Sequence, residues 1–154
     1  MKQICSVAVV LSVMVISGCN TIEREDGFDI KITSEYIGMI TNREWTLQAM
    51  TIDEVEYPLS GKMPTMQFED EGRVFGFSSV NRYFGAIEFD KQGEVKWSDG
   101  FGSTKMAGPP EAMEQENAFM KGLLKTDRLR LYGNMLTAYS MDKKTVLKFV
   151  VSSE

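Results

Sequence analysis

The residues able to do chemistry are few. Histidine is absent, which removes the commonest general base and the commonest metal ligand together. Ser78-Ser79 has no histidine or neighbouring lysine to activate a hydroxyl, and Ser103-Thr104-Lys105 lacks the glycine-rich loop that would make its lysine a phosphate ligand. Glu69-Asp70-Glu71 offers carboxylates. A hard-cation loop of the EF-hand type needs alternating oxygen ligands over about twelve positions, however, and glycosidase chemistry needs two carboxyls facing across a cleft. Three neighbours on a turn supply neither, so a solvated turn is the simpler reading. Asn81-Arg82 is different, because it interrupts an apolar run between Phe77 and Tyr83-Phe84. The asparagine can donate and accept at once, and the planar fork of the arginine suits an anionic group. The same pair also fits an asparagine bonded to its own turn with an exposed arginine beside it. Glu116 falls on or near the apolar side of a predicted helix and needs a polar partner such as Asn81 or Thr104. Asn81, Arg82, Thr104 and Glu116 thus form a candidate polar cluster, structural first and binding second. No catalytic residue, metal or cofactor is expected.

Cys5 and Cys19 are the only cysteines, so neither a disulfide framework nor a thiolate zinc site is expected in a folded domain. Lys2, the apolar stretch Ile4 to Ile16 and the small pair Ser17-Gly18 before Cys19 have the layout of a secretory signal. The stretch is short for a spanning helix, which takes about 20 apolar residues, and Glu23-Arg24-Glu25-Asp26 stops it. Ile16-Ser17-Gly18-Cys19 resembles a bacterial lipobox. That resemblance implies a lipoprotein signal peptide over residues 1–18, an acylated (palmitate-type) Cys19 and a tether over residues 19–43. Several acyl chains hold firmly, since each buried CH₂ contributes about 0.8 kcal/mol. Asn20 after the cysteine, by the same resemblance, implies the outer membrane, facing the periplasm.

The elements that must position the cluster read as hairpins. With 154 residues, 43% hydrophobic and 25% charged, the chain suits one domain plus a targeting segment. A net charge of −5 argues against nucleic acid as a partner. The 11 methionines fit soft core packing or an adaptable apolar surface. Phe28-Asp29-Ile30-Lys31-Ile32 alternates briefly, as an edge strand would, and Trp45-Thr46-Leu47-Gln48-Ala49-Met50 starts the first core strand. Asp70-Glu71-Gly72 and Asp90-Lys91-Gln92-Gly93 are turns between strand-favouring runs. Leu129 to Ala138 and Val146 to Val151 supply two more strand pairs around Gly133-Asn134. Pro110 at a helix start, with Glu111, Glu114 and Glu116 near the positive end of the dipole, predicts a helix over about residues 111–125. Met113, Phe119 or Met120, and Leu123 or Leu124 form its apolar stripe.

Gly72-Arg73-Val74, Gly76, Asn81-Arg82-Tyr83-Phe84-Gly85, Ser103-Thr104-Lys105-Met106-Ala107 and Met113, Glu116, Phe119, Leu123, in this order and spacing, resemble the META-domain family of heat-shock HslJ-like lipoproteins. Trp45-Thr46-Leu47 resembles its opening strand, and Leu136 with Leu147-Lys148-Phe149 its closing hairpin, so the domain is placed at residues 44–152. Many members carry cysteine where this chain has Val80 and Gly108. The fold expected from residues and resemblance alike is mainly β: a small antiparallel barrel or half-barrel of hairpins with one helix packed against it. The function expected is that of a non-catalytic, membrane-anchored envelope lipoprotein in envelope stress response or assembly. The alternative is a pilotin-like binding module, whose curved sheet and Met-rich helix enclose an apolar ligand or a segment of a secreted envelope partner.

Overall fold

The strands follow the alternation in the sequence, and their phase decides which residues enter the core. In the computed structural model, which describes residues 29–152, β1 (Asp29–Lys31), β2 (Glu44–Ile52), β3 (Val55–Tyr57), β4 (Thr65–Phe68), β5 (Arg73–Phe77), β6 (Arg82–Phe89), β7 (Val95–Trp97), β8 (Gly102–Ser103), β9 (Arg128–Tyr132), β10 (Met135–Tyr139) and β11 (Val146–Val151) form one sheet. Its strand order is β1-β9-β10-β11-β2-β4-β5-β6-β7, with β3 on β2 and β8 on β6, and every ladder is antiparallel. In β2, Trp45 and Leu47 are buried, but so are Met50 and Ile52, which strict alternation would turn outward. A bulge against β11 between Lys148 and Phe149 resets the phase. Both ends of β2 therefore face the core. β3 is not separable in the sequence; it follows the two-residue turn Asp53-Glu54, both at positive φ, which folds the end of β2 back as a hairpin.

The helix α1 (Pro110–Lys125) has proline in its first turn, as expected, and packs over β2 and β11. Phe119 and Leu123 are fully buried while Leu124 is 49% exposed, which resolves the stripe. The Phe119 ring lies 5.7 Å from that of Tyr83 and 6.4 Å from that of Phe149, bridging the two halves of the sheet. A Cβ at Gly122 would lie 2.9 Å from Ile52 Cδ1, so a larger residue there would have to displace the Ile52 side chain for the helix to sit this close. Lys125 ion-pairs with Asp53 of the β2–β3 turn.

The sheet is not a closed barrel. Its ladder has two free ends, β1 and β7, and the half-barrel alternative is the one observed. The β7 end still meets the segment that leads from α1 into β9, outside any ladder: Val95 N–H donates to the Asp127 carbonyl at 2.8 Å, and Trp97 Nε1 donates to the Thr126 carbonyl at 2.9 Å. The expected edge strand is β1. Behind it Ile32 and Ile40 are fully buried, and Ile40 O accepts from Trp45 Nε1 at 2.9 Å, so the packed unit reaches upstream of residue 44. The signal and lipobox residues, Cys19 included, lie outside the described residues.

Candidate functional site

Three of the four residues of the predicted cluster meet in one hydrogen-bond network, built where the β5–β6 turn passes beneath the first half of α1. Ser78 N–H donates to the Asn81 carbonyl at 2.8 Å, closing a tight turn in which Ser79 takes φ of 108°, a costly region for a residue with a side chain. This conformation aims successive backbone N–H groups at one point, an anion-binding nest. The anion is the helix's own Glu116. Its Oε2 accepts from Asn81 N–H at 2.8 Å, Val80 N–H at 3.2 Å and the Ser78 hydroxyl at 2.7 Å, and its Oε1 accepts from Asn81 Nδ2 at 2.8 Å. Burial pushes the Glu116 carboxyl up, but the hydrogen bonds from Ser78, Asn81 and Val80 together outweigh it and hold the group below its usual value.

Asn81, 2% exposed, uses every polar atom of its side chain. Nδ2 donates also to the Met106 carbonyl at 3.2 Å, while Oδ1 accepts from Met106 N–H and the Thr104 hydroxyl, each at 2.8 Å. Thr104 Oγ1 in turn accepts from Arg82 N–H at 3.1 Å. Thr104 therefore reaches Glu116 through Asn81 and not directly. Arg82 joins through its backbone alone; its side chain is exposed.

Three contributors escape a reading of the sequence. Gln115, 6% exposed, donates to Ser79 Oγ at 2.6 Å and to the Lys62 carbonyl at 3.3 Å, and accepts from Ser60 N–H at 2.8 Å. Ser78 and Ser79, which suggest only nucleophiles by residue type, are the other two. Two consecutive polar residues on a helix flank otherwise facing the core, Gln115-Glu116, are the available signal. Tyr83 is also buried, which pushes its hydroxyl well above the ordinary tyrosine range, and it donates to the Thr65 carbonyl at 2.9 Å. The triplet Glu69-Asp70-Glu71 stays at the surface, with Glu69 paired to Arg73 at 2.9 Å. Among the described residues no group of three or more His, Cys, Asp or Glu is placed to hold a metal, and no helix is long and apolar enough to cross a membrane.

Solved structures share this arrangement of strands and helix. A protein from Burkholderia xenovorans, solved by NMR, superposes with a TM-score of 0.61 at 20% identity, over 78% of this chain and 88% of its own. A DUF4847 family protein from Bacteroides vulgatus, solved by crystallography, superposes at 0.53 with 13% identity, over 76% and 97%. At these identities the likeness is one of fold. No curated protein matches the chain. The META domain family model matches residues 38–153, a span that contains α1, the Ser78–Asn81 turn and the Thr104–Met106 segment, and the chain belongs to the META domain family.

Proposed function

We propose that the protein is a non-catalytic, lipid-anchored lipoprotein of the bacterial envelope whose META domain acts by holding another molecule, in stress response or assembly. The observation that supports the non-catalytic part of this reading is the saturation of the polar cluster. Ser78 and Glu116, the pair a hydrolase would use as nucleophile and base, are bonded to each other, and the carboxylate also accepts three further hydrogen bonds. A carboxyl held below its ordinary value is a weak proton acceptor near neutral pH, and Ser78 is 1% exposed. The cluster fixes a turn, a helix and a strand connection in place. An apolar ligand enclosed between sheet and helix finds less support, because Trp45, Leu47, Phe119, Leu123 and Phe149, all at 0% exposure, fill that space.

The anchor rests on Ile16-Ser17-Gly18-Cys19. Expressed in a bacterial host, the wild-type protein should fractionate with the outer membrane and Cys19→Ala should move to the soluble fraction. A Cys19→Ala protein that stays on membranes and is processed like wild type would refute the anchor.

A further inference from the structure

The outer face of the sheet carries a second constellation, back to back with the polar cluster. Strand register sets Thr65, Phe77 and Arg82 in one row across β4, β5 and β6, and Gln67, Phe75 and Phe84 in the next. Glu44 of β2 continues the second row beside Gln67. Same-face positions along a strand are about 7 Å apart, so Phe75 and Phe77 make a continuous aromatic floor. Lys62, from the loop before β4, and Thr104 and Met106, from the segment after β8, wall this floor into a groove of about 640 Å³.

The charges of the groove are unbalanced. Lys62 Nζ stands 3.9 Å from the centroid of the Phe77 ring, and Arg82, the cross-strand partner of Phe77 on β6, lines the same groove. Among the described residues neither cation has a carboxylate at ion-pairing distance. The only acid in the lining, Glu44, is engaged by Gln67 Nε2 at 2.8 Å and by Ser152 Oγ at 3.3 Å. Two unpaired cations at an aromatic floor, in a chain of net charge −5, are a local reversal of the overall electrostatics.

We propose that this groove binds a small ligand made of an oxyanion and a flat apolar body, the carboxylate or phosphate lying between Arg82 and Lys62 and the body on Phe75 and Phe77. Arginine matches a planar oxyanion with two parallel donors, lysine adds a point charge, and the volume falls within the range of small-molecule sites, about 300–1,000 Å³. The polar cluster gives the groove its wall. Asn81 holds both Met106 and Thr104 from inside, which makes it a positioning residue for a site its side chain does not enter. This inference rests on the reading that the domain binds another molecule, but not on the lipid anchor, so fractionation and ligand titration fail independently.

The test uses the full-length protein in a neutral detergent, titrated calorimetrically with phenyl phosphate and with N-acetylphenylalanine. Inorganic phosphate and benzyl alcohol serve as the anion alone and the ring alone. At least one ring-bearing anion should bind roughly tenfold more tightly than either half. Arg82→Gln and Lys62→Gln should each weaken it roughly tenfold, about the loss of one charge-assisted contact, with the denaturation midpoint unchanged. Preference for phenyl phosphate identifies a phosphate ligand and preference for N-acetylphenylalanine a carboxylate; either supports the site. Binding of both no tighter than benzyl alcohol, or affinity unchanged in both folded variants, overturns it.

Discussion

Replacing Asn81 with alanine tests whether the cluster is scaffold. The substitution deletes the side-chain bonds to Glu116 Oε1 and the Met106 carbonyl, and those from Met106 N–H and the Thr104 hydroxyl. The losses are unequal. Thr104 and Met106 are exposed, so water can take over their groups, and each of those bonds is worth about 0.5 kcal/mol net, the lower end of the usual range. Glu116 Oε1 is the exception, because Asn81 Nδ2 is its hydrogen-bond donor and the acceptor is charged, a loss of about 1.5–3 kcal/mol. The sum, about 3–4.5 kcal/mol, is a large share of the stability of a domain this size. Arg82→Ala, one residue away with an exposed side chain, should change stability by about 0.5 kcal/mol or less. Urea denaturation of both variants, read as midpoints at unchanged slope, makes the comparison. An Asn81→Ala midpoint indistinguishable from that of Arg82→Ala would refute the structural assignment of the network.

Two further outcomes follow from the same geometry. The folded Glu116 carboxyl sits below its ordinary value of 4.5, so its stabilisation is full above that pH and is lost as pH falls through the depressed folded value. The stability gap between wild type and Glu116→Gln should therefore be widest near pH 7 and shrink on acidification below pH 4.5, measured by denaturant melts; a gap constant with pH would sink the assignment. A Cβ built at Gly108 lies 3.4 Å from Val80 Cβ, at the short edge of disulfide geometry, so Val80→Cys with Gly108→Cys should cross-link on mild oxidation. Closing a loop of about 28 residues should then raise stability by up to about 3–4 kcal/mol, reversibly with reductant; persistence of both free thiols by mass spectrometry would show that the two segments are not adjacent.

Local patterns make most of the architecture legible in the chain itself. Alternation at Trp45-Thr46-Leu47, the turns at Asp70-Glu71-Gly72 and Asp90-Lys91-Gln92-Gly93, and proline with glutamates opening α1 are short-range signals, because strand and helix periodicity are properties of neighbouring residues. They yield hairpins and one helix, and the polar character of Asn81 and Glu116 marks both as needing partners. The sequence cannot place the bulge opposite Lys148 and Phe149, which depends on how two distant strands pair and which turns Met50 and Ile52 inward.

Composition and spacing also bound the chemistry. A chain without histidine, and with both cysteines before residue 20, has few catalytic options whatever its fold. Which groups meet is another matter. Asn81 and Glu116 are 35 positions apart, and Asn81 and Thr104 are 23 apart; only the packing of α1 across the curled sheet joins them. The same packing decides that Glu116 fills the nest made by Val80 and Asn81, and that Lys62 and Arg82, from a loop and a strand well separated in the chain, line one groove. Residue types are written in the chain, but a hydrogen bond or an unpaired charge is fixed by distance in space, and that distance exists only after the core of Trp45, Phe119 and Phe149 has closed.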